Sequence, residues 1–239
     1  MDMNRKLDVS LVMEQSKNVF KAHWLGLSGI LLLVMLASAG LASLNPNQVP
    51  AGLTGEALIQ WYVENGVAYY AFALLASGVQ VVLMAWFYKE VLRRIKGKEP
   101  VLNAKIVLRY VGVSILVGIA TYVALLCCII PVFFVAPRLV IAPLYVIDNP
   151  NISVSEAIER SWKATEGNVM SLIVLGLIAI VISLVGVFCC IIGIVPASVF
   201  CYISIVVAYL FLSGQNGDNI DPAGDYEEVF VIDEKTVCR

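Results

Sequence analysis

The stretch CCIIPVFFVAPRLVIAPLYVIDNP, residues 127–150, decides the fold, because it reads either as a membrane span or as a segment that enters and leaves by one face. It places Arg138 and the breakers Pro131, Pro137 and Pro143 inside an otherwise apolar run. A spanning helix needs about 20 apolar residues. Residues 131–147 make a short, proline-broken candidate, whereas 24–44, 67–92, 106–129, 169–192 and 196–213 are clear ones.

The basic residues choose between five spans and six. Lys and Arg collect in cytoplasmic connections. Arg5, Lys6, Lys17 and Lys21 precede the first span, and Lys89, Arg93, Arg94, Lys96, Lys98, Lys105 and Arg109 surround the connection from the second to the third. Arg160 and Lys163 lie between the fourth and fifth, and Lys235 and Arg239 in the tail; the 45–66 loop has none. A re-entrant 131–147 would put the 160s on the wrong side. The expected fold is therefore all-α: a polytopic bundle of six transmembrane helices with amphipathic surface helices, both termini cytoplasmic, in a cell (inner) membrane. Composition agrees, with 60% of the 239 residues hydrophobic and 14% charged, against about 25% charged in soluble domains. The formal net charge of −2 matters less than this segregation.

Three segments follow: 1–23, an amphipathic cytoplasmic helix with Val12, Ser16, Val19, Phe20 and His23 on one side; 24–213, the bundle; and 214–239, an acidic tail expected to be disordered. Ala37-Ser38-Ala39 resembles a signal-peptidase site, but the polar region before it is too long for a signal peptide. In the 45–66 loop, Thr54 is placed to cap a short helix whose Leu58, Trp61 and Tyr62 suit the interface. After 150, Ser153-Val-Ser-Glu156 reads as a capping box, followed by apolar positions at helical spacing and the stop signal Gly167. LLCCIIPVFF at 125–134 and VFCCIIGIVPASVF at 187–200 echo each other and suggest a duplicated hairpin.

From Arg138 onward the pattern Arg138, Pro143, Asp148, Glu156-Ala157, Ser161 and Thr165-Glu-Gly167 resembles the membrane domain that accompanies some bacterial glycerophosphodiester phosphodiesterases, and related free-standing membrane proteins. The likeness is best over 120–213. It implies a six-helix bundle, but not the phosphodiesterase activity, since 239 residues leave no room for a catalytic barrel of about 250.

Chemistry-bearing clusters are scarce. His23 is the only histidine, and no His-x-x-x-His, intramembrane carboxylate pair, nucleophile elbow or phosphate loop is present. An enzyme is not expected, nor a cofactor or a nucleic-acid partner. Cys127, Cys128, Cys189 and Cys190 approach one membrane face, where they serve as a packing cluster, a disulfide or a thiolate metal site. Arg138 has two readings. Seven residues from Pro131 place it roughly 10 Å inside the membrane. There it either locks the bundle, through carbonyls freed by the prolines (Phe133, Leu139) and hydroxyls such as Tyr122 or Ser183, or binds a lipid phosphate. Arg93, Arg94, Lys96 and Lys98 form a basic rim that attracts anionic headgroups or merely sets topology. The leading expectation is a non-enzymatic scaffold or accessory protein in contact with lipid headgroups, its partners being membrane lipids and a protein met through the acidic tail or a second copy. The alternative is a transporter of small solutes or lipids.

Overall fold

The computed structural model describes residues 7–96, 100–127, 129–188 and 191–214. Lys98, Cys128, Cys189, Cys190 and the 215–239 tail lie outside them. Among the described residues all regular secondary structure is helical: α1 Val9–Ser43, α2 Glu56–Lys96, α3 Ala104–Cys127, α4 Ile129–Leu139, α5 Ala142–Asp148, α6 Val154–Ala164, α7 Val169–Phe188 and α8 Ile191–Gly214. Six segments are long and apolar enough to cross a membrane, the fourth being the composite Pro131–Asp148. The molecule is an all-α, multi-pass membrane bundle.

Helix α1 begins where the Asp8 carboxylate accepts from the amide and hydroxyl of Ser10, at 2.9 and 2.7 Å. It then runs unbroken for 35 residues, so the polar N-terminal helix and the first span are one element. No proline or glycine pair separates His23 from Trp24, and a change from polar to apolar side chains does not break a backbone ladder. At 1.5 Å per residue it exceeds the roughly 30 Å hydrocarbon core. Its polar end packs on protein: Val12, Ser16 and Val19 are buried, and the Leu7 amide donates to Asn168 Oδ1 at the start of α7. α2 likewise absorbs the short loop helix into one element of 41 residues.

The fourth span breaks. Pro143 sits at the start of α5 and has no amide proton for the Leu139 carbonyl, and the helix is interrupted at Val140–Ile141. Past the break, α5 packs against α3 and α6 with Ala142, Leu144, Tyr145, Val146 and Ile147 buried, and its last residue, Asp148, accepts from Tyr209 of α8.

α6 folds back along α5. The Ser153 hydroxyl accepts from the Glu156 amide at 3.2 Å, whereas the Glu156 carboxylate reaches forward to Arg160 at 2.8 Å rather than back to Ser153. Only half of a reciprocal capping box forms. Ala157, Ser161 and Ala164 are buried, while Arg160 and Lys163 face out. Gly167, at φ +79°, turns the chain into α7. The densest core lies at this end, around Phe87, Leu92, Ile141, Leu144, Ile147, Ile203, Tyr209 and Leu212. At the other end the helices thin out, and none of the residues in the most apolar 18-residue stretch of α2 is buried.

Candidate functional site

Arg138 lies in the last turn of α4, where backbone carbonyls lose their helical donors. Its own carbonyl is met from α6, the Ser161 hydroxyl donating at 2.5 Å. The next residue of α6 handles the side chain: the guanidinium carbon sits 4.4 Å from the centre of the Trp162 ring. Arg138 is half-buried and Trp162 is 43% exposed. Among the described residues the guanidinium pairs with no carboxylate and donates no hydrogen bond to protein. The hydroxyls expected for a lock do not meet it: Ser183 bonds within its own helix, to the Ala179 carbonyl, and Tyr122 is 62% exposed.

Stacking on an aromatic face contributes roughly 0.5–2 kcal/mol, less than the roughly 2.5–3.5 kcal/mol that an arginine costs at a helix centre in the membrane. The five N–H donors therefore need water or an anion. The amphipathic helix α6 supplies the polar surroundings, because its fold-back brings a charged outer face level with the end of α4. The depth of roughly 10 Å expected from a straight span takes no account of this. An apolar groove of about 330 Å³ lies between α4, α7 and α8, lined by Phe133, Pro137 and Val140 among others, and Arg138 is not among its lining residues. Charge and groove thus belong to different faces of α4.

The basic rim is largely engaged within the protein. Arg93 and Arg94 both reach Glu90, at 2.6 and 2.9 Å. Lys96 meets Asp148 at 2.5 Å, and the other Asp148 oxygen accepts from Tyr209 at 2.7 Å. The ring of Tyr209 packs edge-on against Tyr145, with centroids 4.9 Å apart. Asp148 thus ties the ends of α2, α5 and α8 together. Arg109 of α3 caps the same end by donating to the Pro150 carbonyl at 2.6 Å.

Sequence reasoning missed the Trp162 contact and the Asp148 junction. The positive-inside pattern puts Lys96 and Asp148 at the same level, yet nothing local says which cation meets which acid. Of the cysteine cluster, the side chain of Cys127 and all of Cys128, Cys189 and Cys190 lie outside the described residues. Among the described residues no three His, Cys, Asp or Glu side chains come together as a metal site.

The residues that carried the family resemblance share a structural task. Arg138 and Ser161 join α4 to α6, Pro143 starts α5, Asp148 ties three helices, and the Thr165 hydroxyl closes the end of α6 on the Ser161 carbonyl at 2.9 Å. No family model, curated protein sequence or solved structure matches the chain.

Proposed function

We propose that the protein is a non-enzymatic membrane scaffold or accessory subunit that holds an anionic lipid headgroup at the α4–α6 edge, with both termini on the cytoplasmic side of a cell inner membrane. One observation carries the reading: Arg138 is oriented by Trp162 but its donors find no acceptor among the described residues, whereas Arg93, Arg94 and Lys96 are already paired with carboxylates. A planar guanidinium suits bidentate capture of a phosphate, and a half-exposed tryptophan suits the headgroup level. The likeness to the phosphodiesterase-associated membrane domain fits the same reading, since Arg138 and Ser161, two of the shared residues, join α4 to α6 at this edge.

Native mass spectrometry of the folded protein with phosphatidylglycerol and cardiolipin tests it. Arg138→Gln should keep the parent's thermal unfolding and retain several-fold less anionic lipid, and Arg138→Lys should restore only part, because it lacks the fork of donors. Equal retention by equally folded proteins would remove the headgroup site. Sidedness has its own test: in intact cells, a cysteine at Ala51 should react with an impermeant thiol reagent and one at Asn103 should not. External labelling at Asn103 would reverse the orientation.

A transporter of small solutes or lipids is the second reading, favoured by the break between α4 and α5. Flux into proteoliposomes that is abolished by rigidifying that break would support it over the scaffold.

A further inference from the structure

A second cavity, of about 480 Å³, opens between α1 and α2 at the end of the bundle away from Asp148. It differs from the lipid-facing surface in what lines it. Asn45, only 9% exposed, accepts from the Asn47 amide through Oδ1, while its Nδ2 meets no acceptor among the described residues. Gln80 has no hydrogen-bond partner among them at either end of its amide. Gln48 donates to the Ser43 carbonyl and keeps its oxygen free. Ser38 and Ser77 donate to carbonyls of their own helices and keep lone pairs. Among the described residues no Lys, Arg, Asp, Glu or His lines the space.

Phe87 and Val91, seven and eleven positions on from Gln80, share its helix face and are fully buried in the core; Gln80 itself is exposed and lines the crevice together with the buried Asn45. The size of the crevice falls within the range of small-molecule sites, about 300–1,000 Å³. The free groups are donors (Asn45, Gln80) and acceptors (Gln48, Gln80, Ser38, Ser77), all neutral.

We propose that this crevice is a binding site for small uncharged molecules bearing both hydrogen-bond donors and acceptors, amides and polyols being the simplest. The site is independent of Arg138, and neither reading depends on the other.

The test uses iodoacetamide, itself a small neutral amide, on the full-length protein in proteoliposomes, with alkylation read by peptide mass spectrometry at the introduced cysteine. Ala76→Cys reports from the crevice and Leu75→Cys from the opposite face, where Leu75 is 72% exposed. Ala76→Cys should react at least tenfold faster than Leu75→Cys. At position 76 iodoacetate, normalised to its rate with free cysteine, should be at least tenfold slower than iodoacetamide, and adding Gln80→Leu should slow iodoacetamide several-fold. Equal rates at 75 and 76 would mean that lipid or a second copy fills the crevice. An iodoacetate rate that keeps pace would mean hydration without selection. No effect of Gln80→Leu would mean that the amide holds nothing. Each of these three results overturns the proposal. If Ala76→Cys folds poorly, Ser77→Cys, close to the native side chain in size, reports from the same face.

Discussion

Replacing Asp148 with alanine is expected to cost the folded protein about 2–3 kcal/mol. The substitution removes the carboxylate to which Lys96 and the Tyr209 hydroxyl both donate, at a site where Lys96 and Asp148 side chains are only 29% and 18% exposed. Breaking a fully buried pair costs roughly 3–5 kcal/mol, and the partial exposure lowers that figure. Asp148→Asn should recover about half, because the amide oxygen still accepts from Tyr209 while the charge attraction to Lys96 is gone. Reversible unfolding in mixed micelles measures both, and a double-mutant cycle with Lys96→Met should return a coupling of about 1 kcal/mol or more. A loss below roughly 0.5 kcal/mol for the alanine variant, within the range of ordinary surface substitutions, would show that Asp148 joins nothing of consequence.

A second large effect is expected at Gly186. A methyl group added there would lie 2.7 Å from the Ala197 Cβ and 2.9 Å from the Gly193 carbonyl oxygen, so α7 and α8 would have to separate. Backbone cannot swing aside as a long side chain can. Gly186→Ala should cost about 1–3 kcal/mol, the usual price of overpacking, and Gly186→Leu should prevent a stable bundle in mild detergent. Gly176, on the same helix, has nothing within 4 Å of the equivalent position, so Gly176→Ala is the control and should be near neutral. Matching thermal midpoints for Gly176→Ala and Gly186→Ala would refute the close approach. This is how a membrane bundle gains packing where lipid is as apolar as the side chains: small residues bring backbones together.

The length of the apolar runs and the placement of Lys and Arg made the six spans readable, and Ser153 and Gly167 marked both ends of α6 because caps and positive-φ stops are local chemistry. Pro143 marked the break in the fourth span for the same reason. Composition changes at residue 23, while α1 obeys backbone continuity and runs on through that point. The surroundings of Arg138 were the least legible. Carbonyls of its own helix and hydroxyls of other spans, Tyr122 and Ser183, were the expected partners, yet Ser161 and Trp162 arrive from a helix 23 residues on, brought back by the turn after Asp148. A crevice such as that beside Gln80 is harder still, because a lone glutamine in an apolar run carries no hint of whether its face meets protein, lipid or open space.

The interrupted fourth span also bears on how the chain enters a bilayer during synthesis. Residues 131–148 hold ten Leu, Ile, Val and Phe residues, worth about −0.3 to −0.6 kcal/mol each at a helix centre, against about +2.5–3.5 for Arg138. Three prolines and the shorter reach of each half erase most of the remainder. Such a segment has little tendency to partition alone. α3, which packs on both α4 and α5, is already apolar enough to insert and gives its successor a protein surface to lean on. The two are therefore expected to enter as a hairpin, and the order of synthesis along the chain, α3 before α4, becomes a condition for placing Arg138 at its level in the membrane.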